Sequence, residues 1–239
     1  MGAEQEIDGK EHLLLLHGAL GAASQMEPLG AELSDKYHVH CLDFTGHGGK
    51  TEPVSFSIDR FAYDVIRYLD DHLIAQTHIF GFSMGGYVAL KVAERLGLRI
   101  GKIITLGTKF DWSPETAEHE TRLLDPDRIQ EKVPGFASML QERHAPANWK
   151  KIVEQTAVLM QDLGQNPQWK PGINIIHNAT YLMVGALDNM VTIDETRQVA
   201  DQLPNGTFQI IPDMEHPFEK TDLDVLSEMI QSFLESDIN

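Results

Sequence analysis

The chain has 239 residues, with 19 Lys and Arg set against 36 Asp and Glu, a formal charge of −17 at pH 7, and 42% hydrophobic residues. Its length suits one globular domain with a sizeable core, and so negative a protein repels phosphate backbones and anionic lipid, which argues against nucleic-acid and membrane partners. The lone Cys41 rules out an internal disulfide or a cysteine-based zinc cluster, and the first apolar run, Leu13 to Leu16, is too short for a signal-peptide core or a membrane span, so a soluble, cytoplasmic protein is expected.

Taken in chain order, short apolar runs alternate with helical patterns. Leu13–Leu16 ends at His17-Gly18, Val39–Leu42 at Asp43, His78–Phe80 at Gly81, and Lys102–Leu106 at Gly107. Later, Thr180–Val184 stops at Gly185 and Thr207–Ile211 at Pro212. Continuous apolarity is what strands buried on both faces require, and the alternation with helices predicts a doubly wound α/β fold with a mostly parallel sheet of about six or more strands. Ile58, Phe61, Ala62, Val65, Ile66, Leu69 and Leu73 recur at helical spacing and should lie on the sheet. Val225, Leu226, Met229, Ile230, Phe233 and Leu234 predict the closing helix.

From about 111 to 172 the strand rhythm disappears. Trp149, Ile152, Val153, Ala157, Met160 and Leu163 form an amphipathic helical face, and the turn residues of 166–172 close the stretch. An insertion of this size is too long for a structureless loop, so residues 111–172 are expected to be a helical cap on a core made of 1–110 and 173–239.

Gly81-Phe82-Ser83-Met84-Gly85 follows an apolar strand and opens a helical stretch. A nucleophile on a tight strand-to-helix turn needs flanking residues without a Cβ, which Gly81 and Gly85 provide. The turn holds Ser83 at the positive end of a helix and leaves the Met84 amide free to donate to an oxyanion. A serine hydroxyl is a weak nucleophile and needs a base, which in turn needs an acid to fix its tautomer.

With these residues the sequence resembles the α/β-hydrolase superfamily, of the serine hydrolase, esterase-like kind. His17-Gly18-Ala19-Leu20-Gly21 is similar to that family's loop after an early strand; the resemblance implies that Ala19 supplies the second oxyanion amide, with Leu20 near the pocket wall. Asp43-Phe-Thr-Gly46-His47-Gly48 resembles a structural turn of the family, with His47 holding it. The family order of nucleophile, acid and base implies Asp188, just past the strand ending at Gly185, and His216, just past the last strand. Asp111, which also follows a strand, is the substitute acid; Asp213 suits a local turn.

The resemblance implies acyl transfer to water through an acyl-enzyme, with catalytic Ser83, Asp188 and His216 and no cofactor. The expected substrate is a small or medium hydrophobic ester or related carbonyl compound, with Leu20, Phe136, Met139 and Met190 as candidate substrate contacts. Leu140 and Trp149 are further apolar candidates that suit core packing equally. Carbon–carbon bond hydrolysis or elimination of a small acid by the same three residues is the alternative, and a non-catalytic receptor on the same fold is a further one. No metal motif is present and no metal is expected. The few residues before Leu13 leave little room for the hairpin many members carry there. Nothing in the sequence specifies an oligomeric state.

Overall fold

The structure, a computed structural model, describes residues 9–51, 55–166 and 170–236. Among them are six strands: β1 (Glu11–Leu16), β2 (Tyr37–Leu42), β3 (Thr77–Phe82), β4 (Ile100–Leu106), β5 (Thr180–Gly185) and β6 (Gly206–Ile211). Every pairing is parallel, in the order β2-β1-β3-β4-β5-β6. The expectation about an N-terminal hairpin falls largely on residues 1–8, outside the described residues, as does part of the turn at 166–172.

Both faces of the sheet are covered, which is why its strands read as unbroken apolar runs. Along β1, Leu14 and Leu16 pack with α2 (Ile58–Asp71) and α3 (Met84–Leu96), while Leu13 and Leu15 pack with α1 (Ala23–Leu33) and α9 (Leu223–Glu235). In β3, Ile79 joins the first cluster and Phe80 and Phe82 the second, as the two-residue period of a strand demands.

Helix starts follow local chemistry. Ser57 caps α2 by accepting from Arg60 N at 3.1 Å, and α8 (Ile193–Gln202) opens with a reciprocal capping box of Thr192 and Glu195. Between β4 and β5 lie α4 (Pro114–Thr121), α5 (Pro126–Lys132), α6 (Pro134–His144) and α7 (Trp149–Gln165). Ser113, Asp125 and Asn148 cap α4, α5 and α7, and proline occupies the first turn of α4, α5 and α6.

Two positions depart from the predicted stripes. The helix over 58–73 stops at Asp71, and Leu73, with φ 54°, is 90% exposed. Its place is taken by Ile74, whose amide returns to Leu69 O at 2.8 Å and whose side chain is buried. Val225, in the first turn of α9, is also exposed, because that helix buries Leu226, Ile230, Phe233 and Leu234.

Candidate active site

Ser83 sits between β3 and α3 with φ 51° and ψ −117°, a conformation that costs a residue bearing a Cβ. The surroundings hold it there. Its N–H donates to Leu106 O at 2.8 Å, and the Thr108 hydroxyl donates to its carbonyl at 2.9 Å. The flanking glycines are required by close approach: a Cβ on Gly81 would lie 2.4 Å from the Gly85 backbone, and one on Gly85 would lie 2.4 Å from Leu16 O. Helix, β1 and β3 therefore meet at backbone contact, and the serine projects beyond the sheet.

His216 follows β6 and Asp188 follows β5, neighbouring strands that bring their loops together. Asp188 Oδ2 accepts from His216 Nδ1 at 2.8 Å, and Oδ1 accepts from the amides of Met190 and Val191 at 2.8 and 2.9 Å. A carboxylate only accepts, so Nδ1 carries the proton and Nε2 keeps a lone pair available as a base. Gly107, with φ 58°, passes close by: a Cβ there would lie 3.2 Å from Asp188 Oδ2. Asp111 is exposed and its amide donates to Glu195 Oε1, while among the described residues the carboxylate on His216 is that of Asp188. Asp213 occupies a turn at φ 55°.

The loop after β1 reaches the serine from the other side. A Cβ on Gly18 would meet the Phe82 ring at 2.9 Å and Ser83 Cβ at 3.2 Å. His17 accepts from Phe44 N with Nε2 at 3.3 Å and donates from Nδ1 to Gly18 O at 2.8 Å; burial pushes it down to about 4, so it is a neutral brace. His47 is likewise held well below the usual range by burial, and its Nδ1 contacts Thr45 O within its own turn. Leu20, at φ 59°, turns its side chain into the core, while its carbonyl accepts from Arg143 Nη1 at 3.1 Å and His144 Nε2 at 3.0 Å, both from α6. The amides of Ala19 and Met84 make no hydrogen bond among the described residues.

Ala19, Met84, Ser83 and His216 line one cavity, in which about 40 Å³ is open to the centre of a water molecule, room for a few waters. Among the described residues the Ser83 hydroxyl makes no hydrogen bond to His216; a contact of this kind tightens as the reacting carbonyl arrives. Of the candidate substrate contacts, Met190 lines the cavity. Leu20, Phe136 and Met139 do not: Leu20 is core, Phe136 is 38% exposed, and Met139 lies against Arg143. The reason is the roll of α6, which buries Ala137, Leu140 and His144 instead. Leu140 and Trp149 pack in the core.

The walls come from residues not singled out as contacts. Leu159, Met160 and Leu163 of α7 close the cavity, together with Lys109 and Trp112 from the loop after β4 and Glu120 of α4. Only the helical stripe containing Met160 and Leu163 was a signal for them. No group of three or more His, Cys, Asp or Glu side chains among the described residues could hold a metal ion, and no helix there is long and apolar enough to cross a membrane.

This architecture is that of the α/β-hydrolase fold, and the chain is similar to proteins that carry it. A sequence family described as alpha/beta hydrolase fold matches residues 11–125. The chain is 24% identical over 254 residues to a provisionally named carbamate hydrolase, RutD, of Caulobacter segnis, spanning 96% of this chain and 93% of that protein. It is 22% identical over 260 residues to the pimeloyl-(acyl-carrier protein) methyl ester esterase of Pectobacterium atrosepticum, spanning 98% of each. A thermophilic esterase from Thermogutta terrifontis, solved with malate bound, shares the fold with a TM-score of 0.75 at 23% identity, over 96% of this chain and 91% of that one. These relatives are named as hydrolases.

Proposed function

We propose that the chain is a serine hydrolase that cleaves a small or medium, hydrophobic carboxylic ester through an acyl-enzyme, with the helices of 111–172 acting as a cap. The observation that carries this is one cavity lined by Ser83, by an imidazole whose Nδ1 is held by Asp188, and by Ala19 and Met84, whose amides make no hydrogen bond among the described residues. Ser83 Oγ attacks the carbonyl carbon while His216 Nε2 takes its proton, and Asp188 stabilises the imidazolium. The carbonyl electrons move onto oxygen, where the Ala19 and Met84 amides receive the oxyanion, each contributing about 3 kcal/mol in sites of this kind. Collapse expels the alcohol, which takes the proton from His216. Water, deprotonated by the same imidazole, then attacks the acyl carbon; collapse breaks the bond to Ser83 Oγ, which takes the proton back from His216, and releases the acid. No cofactor enters either half.

The relatives support this reading, since both are named as hydrolases, one of them a methyl ester esterase. A cytoplasmic setting fits the single thiol, Cys41, which burial pushes up to about 11 and so keeps protonated.

A fluorophosphonate probe and a series of p-nitrophenyl esters test the reading beside Ser83→Ala. Labelling at Ser83 is expected, with ester turnover lost on the order of 10⁶-fold in the variant. Labelling without ester turnover would favour carbon–carbon cleavage or elimination at the same residues, and saturable ligand binding with neither would favour a receptor.

A further inference from the structure

Two charged side chains share the cavity with Ser83 and His216: Lys109, just beyond β4, and Glu120, in the last turn of α4. Lys109 Nζ and Glu120 Oε1 are 3.5 Å apart, and the side chains are only 14% and 10% exposed. A pair so withdrawn from water costs desolvation that a long contact scarcely returns, so stability does not account for it.

Internal hydrogen bonding does not use the pair up either. Lys109 donates to the Met190 carbonyl at 2.7 Å, which leaves further N–H groups of the ammonium. Apart from Lys109, Glu120 meets only the exposed His119, at 3.6 Å, among the described residues. The surroundings are rigid. Phe110 N and Asp111 N both donate to Glu195 Oε1, and the Met190 amide is held by Asp188. The ammonium thus keeps a set position relative to the Asp188–His216 pair.

We propose that Lys109 and Glu120 form a polar subsite for a neutral group that both accepts and donates hydrogen bonds, a primary carboxamide being the simplest, on the substrate attacked by Ser83. This rests on the serine-hydrolase reading above and, in place of a wholly hydrophobic ester, gives the substrate a polar end opposite Lys109 and Glu120. A carboxylate on Lys109 would meet Glu120, and an ammonium on Glu120 would meet Lys109. A hydrocarbon would leave both desolvated without a partner. An amide satisfies both, its oxygen on Lys109 and its N–H on Glu120. The formal charge of −17 further opposes the approach of an anionic substrate.

Three methyl esters of nearly equal shape separate these cases: methyl succinamate, the succinic acid half-ester, and methyl 4-methylpentanoate. With the wild-type chain, kcat/KM followed by acid release is expected to be about tenfold or more higher for the amide ester. In the Lys109→Met/Glu120→Leu protein the order should invert in favour of the hydrocarbon ester, and each single variant should lose amide preference mainly through KM. A half-ester or hydrocarbon ester preferred by the wild type, equal rates for all three, or an amide preference that survives the double substitution would overturn the proposal. Calorimetry on Ser83→Ala with the same compounds reads the subsite without turnover: tighter binding of methyl succinamate supports it, and equal or weaker binding refutes it. Absence of Ser83 labelling in the wild type would count against the hydrolase reading instead.

Discussion

Asp188 divides its carboxylate between two tasks: Oδ2 accepts from His216 Nδ1 at 2.8 Å, and Oδ1 accepts from the amides of Met190 and Val191 at 2.8 and 2.9 Å. Asp188→Asn preserves the shape but presents the imidazole with either an amide N–H or a neutral oxygen. The imidazole then settles in the wrong tautomer, with Nε2 protonated. Turnover of a p-nitrophenyl ester at neutral pH should fall by about 10⁴-fold, as for the equivalent change in a serine protease triad. A loss below tenfold in steady-state kcat would show that this carboxylate does not orient the base.

Arg143 links α6 to the loop after β1 and to the segment after His216. It donates to Leu20 O and pairs with Glu219 Oε1 at 2.8 Å, so one guanidinium joins the loop carrying Ala19 to the segment just after His216. Arg143→Met should relax the Leu20 peptide, and with it the Ala19 amide. The expected result is kcat lowered by roughly tenfold with KM within about threefold, since oxyanion donors act on the transition state. A change confined to KM would place Arg143 in substrate binding.

Two glycines separate crowding from backbone strain. Gly85→Ala places a Cβ 2.4 Å from Leu16 O, which is backbone and cannot turn aside. Urea denaturation should show a loss of roughly 1–3 kcal/mol or more, and ester turnover should fall as Ser83 shifts. Gly97, at φ 52°, has nothing within 4 Å of an added Cβ. Gly97→Ala should cost about 1 kcal/mol from strain, with turnover unchanged.

Acid should weaken the fold through the buried histidines. Burial pushes His17 and His144 down to about 4, and lowers His47 as well. The unfolded chain protonates these groups near 6.5, so between roughly 6.5 and 4 it binds more protons than the native state, and stability falls as the pH falls through that window. Each such histidine contributes a slope of up to about 1.4 kcal/mol per pH unit. Denaturant midpoints from pH 7.5 to 5 should show this decline, and His144→Gln should flatten it by one group's share. A midpoint that rises on acidification would contradict the neutral assignment.

Much of the site was legible because its parts are local. The glycines around Ser83 are there because backbones touch at the elbow, and that need shows as a pentapeptide. Asp188 and His216 were found by their positions after strands and by family order. The pocket walls were not found in the same way. Phe136 and Met139 are as apolar as Leu159 and Leu163, and the difference between them is only which face of α6 and of α7 is turned toward the cavity.

What the sequence determined by itself were features of short range or fixed period. Continuous apolar strands, helical stripes, caps and the close-packed glycines give the parallel sheet and place a serine, an aspartate and a histidine after three of its strands. Leu73 and Val225 mark the limit of that reading, since a period does not say where a helix ends or which edge of its stripe meets solvent. Tertiary packing alone decided that Ala19 and Met84 line one cavity with Ser83, that Asp188 reaches His216 Nδ1, and that Lys109 meets Glu120. These depend on sheet order and helix orientation, which arise from the sum of many weak contacts between distant segments rather than from any stretch of chain.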